Sequence, residues 1–471
     1  MNNKLKEIIT LLFQLKNDVI VRREFWGGLI IVINKGEFEI NDFTTDLLLL
    51  FELTNDISQQ AVILSALYQQ DIAQDIITDA ISELDNFLRP AKHKYHCLTD
   101  LTINKFKKEK EEVKKIDFLS APVNVSLYPG MVCNLKCKFC FVSQEKWDDK
   151  KVVYPMNQWI PVLNEIKKLK IPYLTILGGE PLLYPDIWNM LDYLDAIGQK
   201  THITTNGSIL STSIIDHLKK YHNLTLKVSL QSLDDRHKEL TYGSWEKTVN
   251  FVKNCREVGI DCGIHTLALP KTIDGIYQLV DFAVKEGLYE FSMGAFANIN
   301  QVEIKGFSLK ENREISSKVK KYIKEKYNDA INYRLEGCQI WTGDQQLQKS
   351  NIPKSPYEIL KSGCSAAQTR LEIMNDGTML GCALFDKNKF SAGNVFESSI
   401  KNIWLNSSVF KILRSGKTKD IFCNSCKFEY FCHGGCPALN YVTTGDMWSG
   451  DTRCQIRDNL IKHGKEDVTI V

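Results

Sequence analysis

The alternation of apolar and polar positions divides the chain into three stretches with different periods. Leu5, Ile8, Ile9, Leu12 and Leu15 recur at helical spacing. Val19–Val21, Leu29–Ile33 and Glu37–Ile40 read as short strands around turns at Gly27-Gly28 and Lys35-Gly36. Helical stretches are expected over 44–53, 58–69 and 73–88, the last with Ile77, Ala80, Ile81, Leu84 and Phe87 on one face. Residues 1–105 thus read as a small winged-helix-like unit. The charge-dense segment that follows makes 106–121 a solvated helical linker.

From Val123 the pattern changes to strand–helix alternation. Strands are expected at Val123–Tyr128, Leu174–Leu177, His202–Thr205, Leu226–Leu230, Asp261–Leu267 and Glu290–Met293. Amphipathic helices such as Trp159–Leu169 and Ile276–Glu286 lie between them. Six βα units over 122–310 predict an α/β fold with a partial, parallel (β/α)6 barrel, its site on loops at the C-terminal strand ends. A bridging region, 311–363, leads to a cysteine-rich segment, 364–471.

Composition narrows the function classes. The 471 residues are 44% hydrophobic and 25% charged, as in soluble globular proteins. Lys+Arg 59 against Asp+Glu 57 leaves no basic excess to attract nucleic acid. No apolar run reaches the roughly 18 residues of a membrane span. The stretch Met1 to Thr10 lacks the apolar core of a signal peptide, so a cytoplasmic location is expected. In a reducing compartment, 14 cysteines point to metal ligation rather than disulfides.

Cys133, Cys137 and Cys140 follow the first barrel strand as Cys-x3-Cys-x2-Cys. Three thiolates on one loop can hold three irons of a [4Fe–4S] cluster and leave the fourth open to a small molecule. The alternative is zinc, which prefers four ligands in paired knuckles; no fourth lies nearby. After the second strand comes Gly178-Gly179-Glu180-Pro181. Its glycines permit close backbone approach, and its carbonyls and carboxylate offer acceptors to an ammonium. Placed one βα unit after the cysteine loop, this segment resembles the radical S-adenosylmethionine (SAM) superfamily. The resemblance implies that SAM chelates the open iron and, on reduction, yields a 5′-deoxyadenosyl radical. It also implies SAM contacts at Thr205 and Asn206, at Ser229 and Gln231, and at Phe139 beside adenine. Turn or packing roles are the plain alternatives for these residues.

Cys364, Cys382, Cys423, Cys426, Cys432, Cys436 and Cys454 form a second series, Cys364-x12-Gly377-x4-Cys382 then Cys423-x2-Cys426-x5-Cys432-x3-Cys436. The series resembles the SPASM domain, an extension of radical SAM enzymes that mature peptides and proteins. Carried over, the resemblance implies one auxiliary cluster on Cys423, Cys426, Cys432 and Cys454. It implies another on Cys364, Cys382 and Cys436, with Cys338 as a plausible fourth ligand, giving three [4Fe–4S] clusters in all. A zinc ribbon on Cys423, Cys426, Cys432 and Cys436 leaves Cys364, Cys382 and Cys454 unexplained. Cys97, Cys255 and Cys262 have no metal spacing.

The N-terminal unit resembles the precursor-recognition element of enzymes that modify ribosomally made peptides. Such elements take up a leader peptide as an added strand. Leu127-Tyr-Pro-Gly-Met-Val-Cys133, Ile176-Leu-Gly-Gly-Glu-Pro181, Val228-Ser-Leu-Gln-Ser-Leu-Asp234, Glu336-Gly-Cys338 and Leu371-Glu-Ile-Met-Asn-Asp-Gly377 are similar to streptide-type cyclases, which join Lys to Trp. The implied function is a radical SAM peptide cyclase forming an intramolecular carbon–carbon crosslink in a precursor peptide. A flavodoxin or ferredoxin would supply electrons. Thioether-forming (sactipeptide or ranthipeptide) maturases and, less well, sulfatase-type maturases are the alternatives. The residues name no general base.

Overall fold

A computed structural model describes residues 13–95, 100–140, 152–209, 211–299, 302–336, 354–426, 428–454, 457–458 and 461. The chain forms two compact units, Met1–Ala121 and Pro122–Val471.

In the first unit, β1 (Phe13–Leu15) is followed by an antiparallel meander of β2 (Val19–Glu24), β3 (Gly27–Val32) and β4 (Gly36–Ile40). Gly27 and Gly28 begin β3 instead of forming the turn expected there. A Cβ on Gly27 would stand 2.4 Å from the Ile40 carbonyl oxygen, and one on Gly28 would stand 2.2 Å from Thr45 Oγ1. Only glycine lets β3 lie this close to its neighbours. Three helices follow, Asp42–Leu50, Ile57–Tyr68 and Gln74–Glu83. Asn41 and Asp56 cap the first two through their side chains. The third ends before the expected Leu88, which instead opens β5 (Leu88–Pro90), antiparallel to β1. Leu15 therefore lies in a strand, while the rest of the predicted N-terminal helical face lies outside the described residues.

The segment expected as a free linker is packed into this unit. Helix Asp100–Val113 buries Phe106 in the core, under the Arg23 guanidinium at 4.8 Å from the ring centroid. Lys110 pairs with the buried Asp46 at 2.5 Å, and Arg23 also pairs with that carboxylate. Beyond the helix, Ser120 N–H donates to Glu24 at 2.7 Å. One aromatic and one buried carboxylate outweigh the surrounding charge that made the segment read as solvated.

The second unit is built on one ten-stranded sheet. Strands β6 (Asn124–Leu127), β7 (Tyr173–Ile176), β8 (Thr201–Thr205), β9 (Leu224–Ser229), β10 (Cys262–Ala268) and β11 (Glu290–Ala295) lie side by side in chain order, all parallel. These are the six strands expected. β12 (Asn332–Glu336) adds parallel to β11, and β13 (Arg370–Ile373) adds parallel to β6. Antiparallel β14 (Thr378–Leu380) and β15 (Gly393–Asn394) complete that edge. The cysteine-rich segment thus continues the barrel sheet.

The two faces of this sheet differ. Leu174, Ile176, Ile203, Leu226, Val228 and Ile264 are fully buried on one face. The alternate positions are polar: Glu372, Ser126, Thr175, His202 and Thr225 form one cross-strand row. Thr204, Lys227, Gly263, Glu290 and Asn332 form a second row, and Ser229, His265, Ser292 and Arg334 a third. A parallel sheet covered on both faces by apolar packing would show continuous hydrophobic strands. This one carries a polar interior.

Candidate active site

The cysteine loop leaves the C-terminal end of β6 and is locked to the loop after β7 through backbone bonds. Gly179 N–H donates to the Gly130 carbonyl at 3.1 Å, and Glu180 N–H to the Val132 carbonyl at 2.8 Å. The glycines make this contact possible. A Cβ on Gly178, whose φ is 137°, would stand 2.1 Å from the Gly130 oxygen. A Cβ on Gly179 would stand 2.2 Å from the Val132 oxygen. Gly178-Gly179 therefore shapes the seat of the cysteine loop before any ligand is considered.

Glu180 was expected to offer its carboxylate to an ammonium. In the structure the carboxylate is buried and already engaged by Thr205 Oγ1 at 2.7 Å, Asn206 N–H at 2.8 Å and Leu182 N–H at 3.2 Å. Burial raises its pKa against those hydrogen bonds. Glu180 and Thr205 thus act together as a clamp between the ends of β7 and β8. Asn206 reaches the cysteine loop, its amide donating to Asn134 at 2.9 Å and lying 3.9 Å from Cys133 Sγ. Gln231 is also held by the scaffold: its buried side-chain oxygen accepts from Leu267 N–H at 3.0 Å, and its own N–H donates to His237 Nδ1 at 3.1 Å. Ser229 ends β9, in register with His265. Phe139 packs in a small cluster with Leu240, Leu269 and Phe296.

The thiols of the cysteine loop sense one another. Burial, then Cys140 and Cys133, push the Cys137 thiol up to about 12, and burial raises Cys133. Thiols in this state must lose protons to bind metal. Cys140 also packs with Tyr128, Met131, Met374, Leu380 and Ala383, which ties the loop to the segment bearing Cys382.

The C-terminal cysteines gather similarly. Burial raises the Cys432 thiol, with further contributions from Cys454, Cys426 and Cys423. Cys423 is pushed up to about 12 by burial, Asp420 and Cys454. Cys432 therefore adjoins the other three. Cys382 and Cys436 are buried, and Cys364 lines a cavity of about 50 Å3 with Cys432. Cys338 lies outside the described residues. Among the described residues, no three His, Cys, Asp or Glu side chains converge on a point suited to a single metal ion.

The polar interior was not anticipated from the sequence. Lys227 lies 2.9 Å from Glu290 and also pairs with Glu336. Burial alone would lower the Lys227 pKa, but Glu336 and Glu290 outweigh it and raise it. His265 Nδ1 lies 3.1 Å from Ser292 Oγ and 3.4 Å from Glu336, and burial holds its pKa down. His202, beside Thr225, is lowered to about 4 by burial and then by Lys200 and Lys227. The available signal was the period of two in Leu224-Thr-Leu-Lys-Val-Ser229, whose alternate positions are polar.

Comparison with known proteins agrees with this geometry. The radical SAM superfamily pattern matches residues 127–283, and an iron–sulfur cluster-binding domain, SPASM, matches residues 364–427. The mycofactocin maturase MftC of Mycobacterium tuberculosis is 24% identical over 339 residues, covering 71% of this chain and 83% of its own. Streptococcus suis SuiB bound to its precursor peptide SuiA superposes with a TM-score of 0.83 at 27% identity. That match covers 94% of this chain and all of SuiB. The SuiB structure with S-adenosylmethionine gives a TM-score of 0.80 over the same coverage. Among the described residues, no helix is long and apolar enough to cross a membrane.

Proposed function

This chain is a radical SAM enzyme with a SPASM domain, of the peptide-modifying maturase kind, and we propose that it installs an intramolecular crosslink in a ribosomally made precursor peptide. The favoured bond is carbon–carbon, of the streptide Lys–Trp type. The supporting observation is the extent of the SuiB likeness, 94% of this chain and all of SuiB. SuiB was captured with its precursor peptide.

In this reading Cys133, Cys137 and Cys140 hold the cluster to which SAM binds, with Asn206 beside Cys133. Cys423, Cys426, Cys432 and Cys454 hold one auxiliary cluster; Cys364, Cys382 and Cys436, with Cys338, hold another. When bound, SAM and the reduced cluster would supply a radical able to take a hydrogen atom from an unactivated carbon, and the auxiliary clusters would offer an acceptor for the second electron, its proton passing to a base, as the new bond forms. The chain's own part is to orient the peptide and exclude water. The clamp from Glu180 to Thr205 and Asn206 fixes the strand ends, and the polar interior faces a substrate with peptide groups to satisfy. The antiparallel β2–β3–β4 sheet is the element on which a leader peptide would pair as an added strand. A flavodoxin or ferredoxin supplies electrons.

The test is anaerobic reconstitution with the short peptide encoded beside the gene, SAM and a reductant. The expected products are 5′-deoxyadenosine and a peptide lighter by two hydrogens, with fragmentation placing the bond between Lys and Trp. A crosslink to cysteine sulfur would establish the thioether reading instead. Unchanged peptide with a SAM-cleaving enzyme would overturn both.

A further inference from the structure

Strand β13, next to β6, carries a guanidinium that serves two partners. Arg370 opens β13, and Glu372 lies two residues on, on the same polar face, in register with Ser126 of β6. The β13–β14 hairpin, with Glu372 opposite Leu380, returns the chain so that Cys382 stands beside Arg370. One guanidinium nitrogen, Arg370 Nη2, lies 2.9 Å from Glu372 Oε1 and 3.5 Å from Cys382 Sγ. Glu372 is buried, whereas the Arg370 side chain keeps 39% of its exposure. The carboxylate is thus the fixed partner and the guanidinium the part it positions.

We infer that Arg370, held by Glu372, sets the reduction potential of the auxiliary cluster bound through Cys382. The inference rests on reading Cys382 as a ligand. A hydrogen bond to a cluster sulfur and a positive charge beside it both stabilise the more negative, reduced cluster, which raises the potential. Guanidinium keeps its charge at any working pH and presents several N–H groups in one plane, so it can face a carboxylate and a thiolate together. Lysine supplies the charge without that fork. Glutamine supplies neither the charge nor the geometry. Arg370 is therefore a positioning residue: it acts on electron acceptance through the cluster and not on the peptide.

The experiment uses the full-length chain with Cys133, Cys137 and Cys140 replaced by Ala, so that only auxiliary clusters contribute to the electron paramagnetic resonance signal. Adding Cys382→Ala should lower the iron content and identify the signal that belongs to this cluster. If Cys382→Ala keeps all its iron, the ligand reading fails, whatever Arg370 does. In a reductive titration, Arg370→Gln should move that signal to a more negative potential, while the signal of the other auxiliary cluster stays in place. Arg370→Lys should move it the same way by less. Arg370→Gln with full iron and the parent's potential would overturn the inference. Should Arg370→Gln not hold its iron, Arg370→Lys carries the test, and a parental potential there overturns it equally.

Discussion

The two cysteine-bearing regions reach similar chemistry by different routes. Cys133, Cys137 and Cys140 sit on one short loop, and its shape is dictated by two backbone bonds to the loop after β7 and by glycines that no other residue can replace. The C-terminal cysteines come from distant places. Cys364 precedes β13, Cys382 follows β14, and Cys436 caps helix Pro437–Thr444. The first site is a local motif that needs a tight seat. The second exists only once a hairpin, several short helices and a sheet edge have assembled. A local site should fail completely when one contact is spoiled, whereas a distributed site should fail in parts.

The largest expected effect tests that contrast directly. Replacing Cys133, Cys137 and Cys140 with Ala should abolish formation of 5′-deoxyadenosine. Cys426→Ala should lose iron and peptide product yet retain measurable SAM cleavage. Equal, complete loss in both proteins would show that the two sites form one cooperative unit.

A smaller effect concerns backbone tolerance. Gly179→Ala puts a methyl 2.2 Å from the Val132 oxygen, and the cost should be about 3 kcal/mol or more in chemical denaturation. Gly445→Ala, in the C-terminal segment, meets nothing within 4 Å. Its φ of 79° still carries the left-handed penalty, so it should cost only about 1–2 kcal/mol. Similar losses at the two glycines would contradict the tight seat of the cysteine loop.

The smallest expected effect is a pH dependence at the strand-end scaffold. His237 is buried, its Nδ1 accepts from Gln231 N–H, and burial lowers its pKa from 6.5 to about 4. The folded state therefore favours the neutral ring. The stability this contributes is present above pH 6.5 and is lost as pH falls through about 4. The shift corresponds to at most about 3 kcal/mol. Thermal melting across that range should show the wild type losing more stability than His237→Phe. Parallel curves would remove His237 from the account.

Much of this organisation was readable in the sequence because it depends on short-range pattern. The six barrel strands appear where apolar residues alternate between helical stretches, and the cysteine spacing singled out the loop that the backbone bonds to Gly179 and Glu180 hold in place. Three features were not readable. Phe106 anchors a helix whose charges suggested a solvated linker, because its partners Arg23 and Asp46 lie far away in the chain. The hydrogen bonds of Glu180 to Thr205 and Asn206 were hidden because the next strand supplies both partners. The charged interior was missed because Lys227, Glu290 and Glu336 come from three strands, and none is unusual in its own segment.

By itself, then, the sequence determined the parallel barrel, the three-cysteine loop and the seven later cysteines. Each is carried by residue type and spacing over a few positions, where local geometry suffices. Only the tertiary structure decided which carboxylates brace the scaffold, that the cysteine-rich segment extends the barrel sheet, and that Arg370 stands between Glu372 and Cys382. Those outcomes depend on cross-strand register, which pairs residues far apart in the chain and leaves no mark on either segment alone.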